Sequence, residues 1–409
     1  MVVLASVVYL HLLDLYAEIR SVSPVALVLE ILQAIGVAFI VEALLSYADQ
    51  NWRLPLCVMI WGSVLALVTL SAWRLTYWHI FLRAFAKERI LFVGINPVVE
   101  KVYEEFAKRP ELGYTNLGYV DDYREPGSPL NGAKVLGPLK SLPEIAASTE
   151  PDRIVVGMTE RRSRMPVQDL LDRRFSGIPI EDAATTHEDA CKRICTRELR
   201  PAQLIFSGEM GPRHGMVVLQ WFYSAALAFA SALVVLPAMA LAGLAMKLSA
   251  RGPALFRQAR VGRNGKVFTL YKFRSIYTNA EAGTGAVRAS KDDPRVTPVG
   301  RWLRRTRIDE LPQLWNVLQG DMSVVGPRPE WPEFVKVLAE KIPYYRQRHC
   351  VKPGITGWVQ IHHEYGDSVE DTIAKLEYDL YYIKHISPTP DIYILFQTLK
   401  TVLTSRGAQ

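Results

Sequence analysis

Asp309 and Glu310 stand side by side directly after a run of cations, Arg304, Arg305 and Arg307. A carboxylate can attack phosphorus or hold a divalent cation, and guanidinium groups can clamp phosphate oxygens. Leu311, Leu314, Trp315 and Leu318 recur at helical spacing, and Gly320 is a natural stop. With Asp309 as N-cap, Pro312 falls in the first turn, where its missing N–H costs nothing. That geometry puts the Asp309 carboxylate at the positive end of a helix, ionised and facing a site suited to phosphate. Taken alone, an Asp at a helix start is only a cap, and Thr306 to Asp309 also fits a capping box. The surroundings favour chemistry. Gly326-Pro-Arg-Pro329 holds Arg328 between two prolines of fixed φ, so a stiff backbone aims its guanidinium. Phe256-Arg-Gln-Ala-Arg-Val-Gly-Arg-Asn-Gly265 and Lys272-Phe-Arg-Ser275 add cations upstream, and Lys352-Pro-Gly-Ile-Thr-Gly-Trp358 follows downstream.

Taken in order, these blocks carry a resemblance. Arg260-Val-Gly-Arg-Asn-Gly265, Tyr271-Lys-Phe-Arg-Ser275, Asp293-Pro-Arg-Val-Thr-Pro-Val-Gly300, Asp309-Glu-Leu-Pro-Gln-Leu314, Gly320-Asp-Met-Ser323, Val325-Gly-Pro-Arg-Pro329 and Lys352 to Trp358 lie between about Leu248 and Leu403. That span resembles the bacterial sugar transferases, the monotopic polyprenol-phosphate phosphoglycosyl transferases that begin exopolysaccharide and O-antigen synthesis. Ile276 departs mildly, standing where the family usually has Met. The resemblance implies transfer of a sugar-1-phosphate from a UDP-sugar to polyprenyl (undecaprenyl) phosphate, with release of UMP.

An acceptor phosphate is already ionised at neutral pH, so a general base has little to remove, and a carboxylate serves better as nucleophile. Asp309 is the expected nucleophile, holding a covalent phosphosugar, and Glu310 the expected Mg²⁺ ligand. Arg304, Arg305, Arg307 and Arg328 are candidate phosphate clamps, with Lys272 and Arg274 next. Arginines at alternate positions before Asp309 must face different ways, so not all can reach. The resemblance assigns the acid pair, not the individual arginines, and the identity of the sugar stays open.

The rest of the chain must hold this cluster at a membrane. Its 409 residues suggest two or three domains, and a formal charge of +7 suits anionic partners. Long uncharged apolar runs favour lipid headgroups and nucleotide phosphates over nucleic acid, for which no groove-reading motif or stacking array appears. Cys57, Cys191, Cys195 and Cys350 read as reduced thiols. His187, Cys191 and Cys195 recur every four residues, but no second ligand pair accompanies them to make a metal site.

Residues 1–73 hold three apolar runs, Val2 to Tyr16, Val25 to Leu45 and Leu54 to Ala72. The last two approach the roughly 20 residues needed to cross a bilayer. Arg74, Arg83, Lys87 and Arg89 crowd the exit and mark that side as cytoplasmic; the resemblance implies that the membrane is the inner membrane of a bacterium. Three crossings place Met1 outside; the family's extra N-terminal helices would place it inside, so the chain is expected to begin late.

Residues 87–215 alternate strand and helix patterns. Arg89 to Gly94, Leu117 to Val120 and Arg153 to Val156 are the strands of a Rossmann-like parallel sheet. The nucleotide fingerprint is degraded: Gly94-Ile-Asn-Pro-Val-Val has one glycine where three are expected. Asp121 and Asp122 stand near the place of a ribose acid, but such loop acids are usually only solvated. A structural or homo-oligomerising role is the better reading, and the resemblance implies the same.

Residues 216–246 form a further apolar segment, uncharged from Trp221 to Met246. It is long enough to span. A single crossing, however, would separate a cytoplasmic-looking middle domain from a catalytic domain that must meet a nucleotide-sugar. The segment is therefore expected to enter and leave by one face, broken near Pro237, with Ser231 able to satisfy freed backbone groups. The resemblance implies the same re-entrant helix. Lys247, Arg251, Arg257 and Arg260 then fall at headgroup level.

Residues 247–409 make a mainly α-helical catalytic domain. Ile392, Leu395, Phe396, Leu399, Val402 and Leu403 form one apolar stripe suited to core or membrane. The Gly- and Ala-rich loop from Thr278 to Asp293 reads as a lid or as plain surface. The expected whole is a membrane-anchored α/β protein. Two other readings remain open: a polytopic phosphosugar transferase, for which the spanning helices are too few, and a non-catalytic nucleotide-sensing scaffold of polysaccharide assembly.

Overall fold

The computed structural model describes residues 55–77, 88–108, 113–158, 165–196, 211–249, 252–277, 295–363, 366 and 368–403, with single helical positions between 25 and 43. The first apolar run, Arg83, Lys87, Arg251 and the loop from Thr278 to Asp293 lie outside these residues. The chain divides into two compact units, residues 1–199 and 200–409.

In the first unit, the third apolar run forms helix α1 (Leu56–Thr76), with Met59 buried and Arg74 in its last turn. Trp61, Leu65 and Trp73 are exposed on a helix that is apolar all round and long enough to cross a bilayer. A six-stranded sheet follows, in the order β3-β4-β2-β1-β5-β6. Its strands are β1 (Glu88–Val93), β2 (Tyr114–Val120), β3 (Pro129–Leu130), β4 (Ala133–Gly137), β5 (Arg153–Val156) and β6 (Ile180–Asp182). All neighbours are parallel except β3 and β4. Ile90 to Val93 is a continuous apolar run because β1 is covered on both faces. Ile90 and Phe92 meet Val98, Val99 and Val102 of helix α2 (Pro97–Lys108). Leu91 and Val93 meet Leu142 and Ala146 of α3 (Leu142–Thr149) and Leu170 of α4 (Val167–Phe175). Helix α5 (Ala183–Cys191) completes the α2 side, and the described cysteines are all free thiols.

The strand order turns back at β1, so a nucleotide would bind at the C-terminal ends of β1 and β5. There Asn96, itself buried, accepts hydrogen bonds from Val98 N and Val99 N at 3.1 and 2.8 Å. The donors that would cradle a pyrophosphate are thus used by the chain's own side chain. The loop acids are not merely solvated, as expected, but tie backbone. Asp121 accepts from Ile95 N and Tyr123 N, and Asp122 accepts from Leu139 N.

The second unit opens with helix α6 (His214–Ser249), which keeps Pro237 inside it as one element rather than splitting into two helices. Its two ends pack into the same unit. Val217 and Ala228 join a core with Val325, Tyr382 and Ile394, while Ala242 and Met246 join Phe273 and Leu303. Between them, Leu233, Val234 and Leu236 are exposed. Polar side chains lock the first end. Gln220 donates to Asp391 at 2.8 Å, Tyr223 donates to the same carboxylate, and Ser224 shares a hydrogen bond with Ser323.

Beyond α6, strands β7 (Leu255–Val261) and β8 (Val267–Phe273) form an antiparallel hairpin, followed by α7 (Pro298–Arg305) and the short α8 (Gln313–Gln319). A two-stranded parallel pair, β9 (Ser323–Val325) and β10 (Gly354–Thr356), is accompanied by helices α9 (Pro332–Lys341), α10 (Trp358–His362), α11 (Val369–Lys384) and α12 (Pro388–Leu403). The expected single stripe on α12 divides. Ile394 is fully buried and Leu395 packs on the core, whereas Ile392, Phe396 and Leu399 face outward. The side chains of Val402 and Leu403 lie outside the described residues.

Candidate active site

Asp309 does not cap a helix. Arg307 takes a left-handed conformation, φ 58°, that ends α7, and Ile308 to Glu310 form a 3-10 turn. Glu310 N and Leu311 N reach back three residues, to Arg307 O and Ile308 O, and helix α8 begins only at Gln313. Thr306 caps nothing either, since its hydroxyl donates to Trp302 O and Leu303 O within α7. The tight turn drives Asp309 inward instead, where it is 9% exposed and its Oδ1 has no hydrogen-bond partner.

Glu310 is held in place. Its Oε1 accepts from Arg328 Nη2 at 2.8 Å and from Lys272 Nζ at 3.1 Å. Burial alone would raise its pKa, but Arg328 and then Lys272 outweigh that and hold the carboxyl well below the usual range. Asp309 goes the other way. Burial first, and the neighbouring Glu310 second, push it up to about 6 against the pull of Lys272, Arg304 and Arg307. Burial likewise lowers Lys272, with Glu310 opposing.

Each cation reaches the cluster for a structural reason. Lys272 lies on β8, which Asn316 of α8 fixes by accepting from Tyr271 N and donating to Thr269 O. Arg328 is braced by close backbone packing of two motifs. Gly326 N donates to Thr356 O and Gly354 N to Pro327 O, and a Cβ on Gly354 would come within 2.1 Å of Gly326 N. Arg348 donates to Arg328 O at 3.0 Å while ion-paired with Asp379 at 2.7 Å, both buried. Arg304 Nε donates to Ser275 Oγ at 2.8 Å, a contact allowed because Gly300 passes so near Ser275 O that a Cβ would sit 2.1 Å from it.

Of the expected phosphate clamps, Lys272, Arg304, Arg307 and Arg328 therefore surround the acid pair. Arg305 is exposed on α7 and is not among the groups acting on Asp309. Arg274 is buried beyond the end of β8, beside a separate cavity. Ser231 and Pro237 lie on α6, half-buried and exposed respectively. Among the described residues no group of three or more His, Cys, Asp or Glu side chains could hold a metal. Two adjacent carboxylates, one with an orphaned oxygen, fit Mg²⁺, which takes one or two carboxylates and completes its shell from substrate phosphate.

Comparison with known proteins shows what the chain is similar to. The family model described as bacterial sugar transferase matches residues 217–405, and that described as CoA-binding domain matches residues 11–173. A UDP-glucose:undecaprenyl-phosphate glucose-1-phosphate transferase of Escherichia coli (strain K12) is 33% identical over 329 residues, 79% of this chain and 69% of that protein. The chain belongs to the bacterial sugar transferase family. The protein of the same name from Xanthomonas campestris pv. campestris is 31% identical over 343 residues, 81% of this chain and 69% of its own length. A UDP-N-acetylgalactosamine-undecaprenyl-phosphate N-acetylgalactosaminephosphotransferase of Aeromonas hydrophila is 48% identical over 173 residues, but the match spans only 41% of its length.

Sequence reasoning passed over several residues that build this candidate site: Ser275, Asn316, Arg348 and Asp379. Asn316 had a signal, being a polar residue inside the apolar run of α8 and fully buried. Arg348 and Asp379 had none, because a buried ion pair between distant segments leaves no local pattern.

Proposed function

We propose that this family member moves a sugar-1-phosphate from a UDP-sugar to polyprenyl phosphate, releasing UMP, as the first membrane step of exopolysaccharide or O-antigen synthesis. The observation that carries the reading is a buried Asp309 with an unpaired Oδ1, beside a Glu310 already neutralised by Lys272 and Arg328. An oxygen of Asp309 attacks the sugar-proximal phosphorus. The bond from that phosphorus to the bridging oxygen breaks, and UMP leaves with the electron pair. A phosphate oxygen of the lipid then attacks the same phosphorus, and the Asp309 carboxylate departs. Arg304, Arg307, Lys272 and Arg328 offset the charge of anion meeting anion. Mg²⁺ would be held by Glu310, both of whose described cation contacts fall on Oε1, together with Asp309. When bound, it supplies further charge compensation at phosphorus.

Helix α6 enters and leaves the cytoplasmic leaflet of the inner membrane without crossing. A straight helix of its 36 residues would reach about 54 Å, and a spanning one would part its ends by a bilayer. Both ends instead pack on one unit. The first unit has a structural or self-associating role, since Asn96 occupies the donors a nucleotide would need. The same contact weighs against a nucleotide-sensing scaffold.

The test incubates the protein in nanodiscs with labelled UDP-sugars and Mg²⁺, with and without polyprenyl phosphate. A burst of UMP without acceptor and a sugar-phosphate adduct on the Asp309 peptide are expected. Lipid product formed with no adduct trapped would remove the covalent route, and no turnover with any UDP-sugar would remove the activity.

A further inference from the structure

We infer that the cavity beside Arg274 receives the acceptor, its phosphate at Arg274 and its first isoprene units against the apolar wall. This rests on the transfer proposed above and assigns a separate subsite to the second substrate. The cavity is about 770 Å³, within the range of small-molecule sites. Leu255, Phe256, Ile276 and Tyr277 form its apolar wall, and Lys247, Arg257 and Arg274 contribute the cations. A nucleotide-sugar is polar along its whole length and gains nothing from such a wall. A polyprenyl phosphate is one charged head on a hydrocarbon chain, and its two parts match the two kinds of lining.

Position supports the same occupant. Lys247 lies in the last turn of α6, so the cavity opens where the apolar helix ends, next to the exposed Leu244 and Leu248. At the other end it approaches the acid pair. Arg274 N donates to Ala254 O at 2.8 Å, which carries the hairpin pairing one step past Phe273. Residues two apart on a strand share a face, so Arg274 and Lys272 point the same way, about 7 Å apart. Ser275, next in sequence, receives Arg304, one of the cations acting on Asp309. An acceptor phosphate at Arg274 thus stands one strand repeat from the Lys272–Glu310 contact.

The experiment uses the full chain in nanodiscs and fills the cavity from its wall with Leu255→Trp and, separately, Ile276→Trp. The KM for polyprenyl phosphate should rise about tenfold or more, while acceptor-independent UMP release and the KM for UDP-sugar stay at wild-type values, which also shows that the variants fold. Arg274→Gln should raise the acceptor KM as well. Wild-type protein irradiated with a benzophenone-bearing polyprenyl phosphate should be labelled in the Leu255 or Tyr277 peptide. An unchanged acceptor KM in both tryptophan variants, a rise in the donor KM instead, or competition of the label by bulk phospholipid as well as by polyprenyl phosphate overturns the inference. Failure of the wild type to release UMP would count against the transfer reaction, whereas the labelling still reads the cavity.

Discussion

Arg328 Nη2 donates to Glu310 Oε1 at 2.8 Å across 18 residues of sequence and holds that carboxyl low, while burial pushes the adjacent Asp309 the other way. Glu310 is ionised and compensated, while Asp309 is buried with an oxygen unpaired. Replacement of each should therefore move stability in opposite directions. Glu310→Gln takes the carboxylate away from Lys272 and Arg328, and breaking such a buried pair costs on the order of 3 kcal/mol. Asp309→Asn removes a charge that the fold tolerates poorly and should stabilise. Thermal melts of the two variants in one detergent check this; shifts of the same sign would contradict the electrostatics described here.

The stabilisation from Asp309→Asn should depend on pH when Mg²⁺ and nucleotide are left out. The folded pKa of Asp309, about 6, lies above the ordinary aspartate value of 3.8, so folding favours its protonated form. Whatever stability the group contributes is complete below the unfolded pKa and is lost as pH rises through the folded one. Wild type and Asp309→Asn should thus melt alike near pH 4 and diverge above pH 6, by at most about 3 kcal/mol. A difference that is flat from pH 4 to 8 would place Asp309 in a different environment.

Arg348 acts at one remove, fixing the Arg328 carbonyl while paired with Asp379. Arg348→Met or Asp379→Asn leaves one buried charge alone and should lower both stability and kcat. The double change Arg348→Met with Asp379→Leu removes both charges and should recover most of the stability while kcat stays depressed about tenfold or more. Full recovery of kcat in that double variant would reduce the pair to ordinary packing.

Helix α6 should present both ends to the same side of the membrane. Single cysteines at His214 and Ser249, in a background lacking reactive thiols, should both react with an impermeant maleimide from the cytoplasmic face of inverted vesicles. Reaction of one from each face would establish a crossing helix.

Much of the architecture was legible because it rests on local periodicity. The β1 run from Arg89 to Val93 and the apolar stretch around Trp221 declare themselves in any window. The acid pair was legible too, through residue type. The conformation of Asp309 was not. A proline three residues after an acid is compatible with an N-cap, and only the left-handed Arg307 together with three-residue hydrogen bonds turns the segment inward. Which arginines meet was equally hidden, because Arg304 and Arg305 differ only by rotation about α7. That rotation is set by burial of Leu303, in the same helix, against Met246. Gly326 and Gly354 could be read as motif members, but not as two stretches of backbone pressed together.

The clasp between Gln220, Tyr223 and Asp391 at one end of α6, and between Met246 and Leu303 at the other, holds both ends of the helix to one unit. On the re-entrant reading proposed above, a helix secured twice in this way cannot tilt or stretch to suit its surroundings, as a crossing helix does. Total bilayer thickness should accordingly matter little to it. Crowding among the acyl chains of a single leaflet would, on that reading, govern how readily it seats.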